Sequence, residues 1–135
     1  MIFPLDTNIF SDLMRANSNV DIRLKGCSAT DQVIICPIVR GEILFGIERL
    51  PAGKRRQRLH SIANLLFSKI PCEAIPESVG DHYSTIKLAC QQKGLSIGEN
   101  DLWIAATALA FGATLVTRDP DFQSVDRLLT IDWSV

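Results

Sequence analysis

The sequence predicts an α/β fold. The expected form is a three-layer α/β/α sandwich whose short, mostly parallel central sheet carries helices on both faces. Two observations predict it. Short apolar runs at Ile2–Leu5, Val33–Cys36, Ala113–Thr117 and Leu128–Ile131 alternate with helical patterns, the order of parallel strands joined by crossovers. The first and third runs deliver the chain to acidic residues, at Asp6 and at Arg118-Asp119. In an open α/β sheet, ligands sit outside the carboxyl ends of the strands.

The elements follow in order. Strand one is brief, and Pro4 within it cannot donate a ladder hydrogen bond, so an edge position or a very short strand is expected. Thr7 or Asn8 can cap the first helix, whose inner stripe is Ile9, Phe10, Leu13 and Met14; Asp12 reads as a surface residue. A weak helix over Val20–Cys27 leads to the continuous apolar run Val33–Cys36, which suits a central parallel strand. Pro37 opens the next helix at a first-turn position, with Ile38, Ile43, Leu44 and Ile47 near one face and Glu42 at its margin. Leu50-Pro51-Ala52-Gly53 breaks it. A helix over Lys54–Phe67 follows, and Ser68–Cys72 is a candidate short strand. Pro76 starts a helix running to about Gln92. Ser96-Ile97-Gly98-Glu99 has the form of a capping box before the almost wholly apolar helix Asn100–Ala110. Such a helix is buried on most sides, and Gly112 closes it.

The chain has 135 residues, 47% hydrophobic and 21% charged, which suits a single domain over residues 1–135. No apolar run reaches membrane-spanning length, and the N-terminus lacks a secretory pattern, so a cytoplasmic location without membrane contact is expected. Cys27, Cys36, Cys72 and Cys90 lack close C-x2-C spacing and read as free thiols, mostly in or near the core. The formal net charge of -1 is not that of a strongly basic nucleic-acid binder, but its distribution is uneven. Residues 49–69 contain no acid and hold Arg49, Lys54, Arg55, Arg56, Arg58 and Lys69. Cations in the first turn of a helix oppose its dipole, which hints at use in binding nucleic acid or an acidic partner.

Asp6, Glu42, Asp101 and Asp119 all fall where one rim of the sheet can gather them. Asp121 is the alternative to Asp119. Ionised carboxylates repel at close range, and a hard divalent cation removes that repulsion: magnesium, with manganese as a substitute. Such a cation activates water and stabilises charge on a phosphoryl oxygen. Thr7, Asn8 and Thr117 are candidate groups for orienting the carboxylates. There is no nucleotide-binding glycine loop and no serine-nucleophile elbow, and His60 and His82 have no acidic or nucleophilic partner nearby in sequence.

Four segments resemble, in order, the acidic blocks of the PIN-domain family, and more closely the VapC toxins of bacterial toxin–antitoxin pairs. They are Leu5-Asp6-Thr7-Asn8-Ile9, Val39–Ile47 around Glu42, Ile97–Ala106 around Asp101, and Leu115–Phe122 around Asp119. The ending Ile131-Asp132-Trp133 is also similar. Pro4 and Pro37 depart from the usual residues, and the fourth block is one residue shorter than in many relatives.

The resemblance implies a PIN-like fold and a magnesium-dependent endoribonuclease with Asp6, Glu42, Asp101 and Asp119 as catalytic and metal-binding residues. It also implies a toxin that inhibits translation, an RNA substrate, a VapB-like antitoxin as partner, and a homodimer. Arg49, Lys54, Arg55, Arg56, Arg58 and Arg118 are the expected RNA contacts. A catalytically silent PIN-like interaction or regulatory module and a metal-dependent DNA nuclease are the rival readings.

Overall fold

A computed structural model describes residues 1–135. Its strands are β1 (Ile2–Pro4), β2 (Gln32–Ile34), β3 (Thr114–Val116) and β4 (Leu129–Ile131). Its helices are α1 (Thr7–Met14), α2 (Ser18–Lys25), α3 (Pro37–Glu48), α4 (Lys54–Lys69), α5 (Ser78–Gln92) and α6 (Glu99–Ala110), with a short 3-10 turn at Pro120–Ser124. β1 pairs with β2 and β3 with β4, both in parallel. Single parallel bridges extend the array, Leu5 to Val116 and Ile35 to Cys72. The spatial order is therefore Cys72, β2, β1, β3, β4.

Pro4 explains why β1 and β3 meet so briefly. The Leu5 amide points to β2, donating to Ile34, while the Asp6 amide points the other way and donates to Val116. Backbone donors alternate sides along a strand, so Pro4 faces β3 with no N–H to give. Pairing across that seam begins only at Leu5. The expectation of an edge position for Pro4 is thus corrected: the strand is central, and its pairing is short.

The chain runs outward from β1 to β2 and Cys72, then returns to β3 on the other side of β1. Parallel strands joined this way take right-handed crossovers, which place helices before and after the reversal on opposite faces. In keeping with this, α1 packs on α3 and α4, and α5 packs along α6. The order of travel reverses between β1 and β3, which makes the carboxyl ends of these strands the topological switch point.

The core follows the sequence stripes. Ile9 and Phe10 of α1, Val39, Ile43 and Ile47 of α3, and Leu115 and Val116 of β3 are buried. α6 buries Leu102, Ile104, Ala105, Ala106, Thr107 and Ala108, and its alanines let neighbouring backbones approach closely. It stops at Gly112, whose φ of +59 suits glycine.

Local expectations fail in three places. Ser68 and Lys69 belong to α4, and only Cys72 makes a strand-like bridge, because α4 carries its helical bonding through to Ile70. The capping box does not form: Gly98 is the N-cap and Ser96 does not bond there. Glu99 instead accepts from Tyr83 and pairs with Lys87 on α5. Tyr83 also stacks flat on Trp103, with centroids 3.7 Å apart, so this cluster fastens α5 to α6. Thirdly, α1 is capped by neither Thr7 nor Asn8 but by Asp6, whose carboxylate accepts from the Thr7 amide.

The four cysteines are free. Cys36 and Cys90 are buried, Cys27 is half-buried and Cys72 is exposed. Burial pushes the Cys36 thiol up, away from the reactive thiolate form. No helix is long and apolar enough to cross a membrane.

Candidate active site

The switch point gathers the acidic residues. β1 ends by presenting Asp6, which is buried. Its Oδ1 accepts from the Thr7 amide at 2.8 Å, and its Oδ2 accepts from the Thr117 hydroxyl at 2.7 Å. Thr117 stands just past β3, so one side-chain hydrogen bond closes the seam that Pro4 leaves open. The Thr117 oxygen also accepts from the Asp119 amide. Asp119 caps the 3-10 turn by accepting from the Asp121 amide. Glu42, on the second turn of α3, accepts from the Thr7 hydroxyl at 2.6 Å and faces the Asn100 amide at 3.4 Å. Asp101 lies in the first turn of α6.

The charges of these groups act on one another. Desolvation pushes the Asp6 carboxyl above its ordinary range, against the hydrogen bonds from Thr117 and Thr7, and the charges of Glu42 and Asp119 push it further up. Asp101 is pushed up to about 6, first by burial and then by the charges of Asp6, Asp119, Glu42 and Asp121. Asp119 acts on both carboxylates, whereas Asp121 acts only on Asp101 and is the last of its causes. Asp119 is half-buried beside Thr117, whereas Asp121 is exposed on the 3-10 turn.

The donor set fits a hard divalent cation. Every candidate ligand is an oxygen, and the mutual repulsion that raises Asp101 is what a bound cation removes. As they stand, no three acidic, histidine or cysteine side chains enclose a common point at coordination distance. Glu42 is turned toward Thr7 and Asn100.

A groove of about 590 Å³ leads from this cluster along α3, lined by Thr7, Glu42, Phe45, Arg49 and Asn100 among others. Of the six basic residues expected to contact RNA, Arg49 lines this groove. Arg118 borders a neighbouring depression with Thr117 and Asp119. Lys54, Arg55, Arg56 and Arg58 lie on the first turns of α4 and line neither. Asn8 contributes no hydrogen bond to the carboxylates, and its buried Oδ1 has no partner.

Two residues escaped the sequence reading. Asn100 reaches Glu42, although its place beside Asp101 suggested only a helix start. Asp12 is 5% exposed, not on the surface. It accepts from Arg15 at 2.7 Å and lies 3.4 Å from Arg118. Its i+4 spacing from Asn8 on α1 was the available signal, since that spacing returns it to the face of the helix turned toward the fourth acidic block.

Carboxylates gathered at the switch point of a short parallel sheet suit metal-assisted phosphodiester chemistry. The chain belongs to the PIN domain family, whose match covers residues 4–128. Within that family it is similar to proteins named VapC. It is 29% identical to ribonuclease VapC2 of Rickettsia felis over 98% of both chains. It is 32% identical to ribonuclease VapC of Rickettsia bellii, covering 92% of this chain and 90% of that one. Its fold superposes on VapBC2 from Rickettsia felis, solved bound to a promoter DNA fragment, with a TM-score of 0.91 and 27% identity over 98% of this chain and 99% of that one. VapBC-1 from nontypeable Haemophilus influenzae gives 0.88 with 29% identity over the whole of both chains.

Proposed function

We propose that this protein is a metal-dependent endoribonuclease of the VapC kind, the toxin of a toxin–antitoxin pair. The observation that carries the reading is the meeting of Asp6, Glu42, Asp101 and Asp119 at the switch point of a PIN domain. Relatives named ribonuclease VapC and neighbours solved as VapBC complexes support it. They also support a VapB-like antitoxin as partner and RNA as substrate. The residues form one domain over 1–135 and act as a homodimer that stops translation.

Asp6, Glu42, Asp101 and Asp119 would hold magnesium, with manganese able to replace it. When bound, the ion supplies an activated water and offsets charge on a phosphoryl oxygen. The chain's own residues prepare the site. Thr117 fixes the outer oxygen of Asp6 and, through its acceptor side, the start of the loop carrying Asp119. Thr7 and Asn100 hold Glu42 at the groove mouth. Arg49 and Arg118, with Lys54, Arg55, Arg56 and Arg58 further out, attract the phosphate backbone; such contacts position RNA without choosing its sequence. Water attack with the 3′ oxygen leaving gives 5′-phosphate and 3′-hydroxyl ends.

The test is incubation of total small RNA and ribosomes with purified, partner-free protein in magnesium, manganese or EDTA, beside Asp6→Asn and Asp101→Asn. Cutting at discrete sites that needs metal and is lost in both variants is the expected result. Cutting that survives in EDTA or in Asp101→Asn, or products ending in 2′,3′-cyclic phosphate, would overturn the mechanism. Cleavage of DNA alone would replace RNA as the substrate.

A further inference from the structure

We infer that Phe45 and Arg49 form a nucleotide subsite beside the acidic cluster, in which a single unstacked RNA base lies on the Phe45 ring and Arg49 takes the adjoining phosphate. The inference rests on the nuclease reading and names how that site grips its substrate.

Phe45 is 67% exposed, while Ile43 and Ile47 on the opposite side of α3 are buried. Its burial therefore contributes little to the fold. The ring lines the same groove as Thr7, Glu42 and Asn100. It is three residues beyond Glu42, about 4.5 Å along the helix axis, and Arg49 lies about 6 Å further. Glu42, Phe45 and Arg49 thus share one helical stripe leading away from the carboxylates.

The space around the ring is open by sequence. Gly41 and Gly46 also line the groove, and a Cβ added at either would meet nothing within 4 Å. Helix packing does not demand these glycines, which cost α3 stability. Their small size keeps a slot beside Phe45 clear.

Arg49 supplies the charge. It makes no ion pair, and its guanidinium stands 6.0 Å from the Phe45 ring centroid. The other arginine over a phenylalanine, Arg40 on Phe67, sits at 4.3 Å against a half-buried ring. Arg49 stands over one side of the exposed Phe45 ring; an exposed aromatic ring, a cation without an ion pair and a nearby acidic cluster are the elements of single-strand recognition: stacking for the base and attraction for the phosphate. A base offers a π face to Phe45, whereas an aliphatic side chain from a protein partner would need only an apolar surface.

The probe is a single-stranded oligoribonucleotide carrying 2-aminopurine, whose fluorescence is quenched by stacking. It is titrated against full-length protein in the cleavage-silent Asp101→Asn background, with oligomeric state followed by light scattering. The parent should quench the probe. Phe45→Ala and Phe45→Leu should weaken binding about tenfold and lose the quench, Phe45→Trp should restore both, and Gly46→Leu should block the slot. Arg49→Gln should weaken binding and flatten its salt dependence while the remaining bound signal stays quenched.

Unchanged binding and quench in Phe45→Ala, or full binding by Phe45→Leu, would overturn the subsite; the latter would mark an apolar contact for a protein. A change of oligomeric state in Phe45→Ala would assign the ring to an interface between copies and equally overturn it. Because the readout is binding, these outcomes are separate from loss of RNA cleavage, which would sink the nuclease reading itself.

Discussion

Replacing Asp101 by Asn should stabilise the protein in EDTA while abolishing cleavage. Asp101 is raised from its ordinary 3.8 to about 6. A carboxyl that binds its proton more tightly when folded stabilises the fold fully only below its unfolded value. That contribution is lost as the pH rises from about 3.8 through about 6, so at pH 7.5 the ionised group opposes folding. The full difference corresponds to about 3 kcal/mol. Asp101 is only half-buried, and screening by solvent reduces the figure to about 1 kcal/mol. For a domain of this size, Asp101→Asn should raise the melting temperature by about 3–5 °C. The assay is thermal unfolding followed by circular dichroism in EDTA at pH 7.5, 5 and 4. The gain should be largest at pH 7.5, smaller at pH 5 and slight at pH 4. Manganese at pH 7.5 should stabilise the wild type and do less for the variant. A variant that melts below the wild type in EDTA at pH 7.5, or whose gain is equal at all three values, would refute the electrostatic reasoning.

Three further outcomes are expected. Thr117→Val removes the hydroxyl that donates to Asp6 and accepts from the Asp119 amide, so cleavage should fall about 10- to 100-fold while Thr117→Ser retains most of it. Asp12→Ala takes the carboxylate from between Arg15 and Arg118; urea unfolding should show a loss of about 1–3 kcal/mol, and Asp12→Glu should not restore it because the longer side chain meets a packed site. Neutralising Arg55 and Arg56 together should weaken RNA binding and lower the slope of log K against log salt by about 1.4, about 0.7 for each lost phosphate contact on a single strand; filter binding across a salt series measures it, and an unchanged slope would remove the first turn of α4 from the RNA path.

The candidate site residues could be named from the sequence because each belongs to a local pattern. An apolar run that stops at an acid placed Asp6 and Asp119 at strand ends, and the apolar character of α6 made Asp101 stand out at its start. The buried helix and the glycine stop after it were equally plain, since hydrophobic period and backbone conformation are properties of short stretches. Two of the places where expectation failed, Glu99 and Asp12, take a partner from elsewhere in the chain. Ser96 and Glu99 have a capping pattern, but packing of α5 against α6 offers Glu99 an ammonium and a phenol that the local sequence does not show. Ser68 and Lys69 have no fixed local preference, and α4 simply continues through them. Asp12 looks like a solvent-facing helix residue until β3 and the loop after it bring Arg118 alongside.

The sequence alone thus determined most of the strand and helix order and named four candidate acids with the threonines beside them. It did so because hydrophobic patterning and residue type act locally. Only the tertiary structure decided that Asp6 caps its own helix while accepting from Thr117, that the Thr117 hydroxyl accepts from the Asp119 amide, and that Glu42 is held by Thr7 and Asn100. These depend on which strand ends the reversal at β1 and β3 brings together, and no local rule carries that distance.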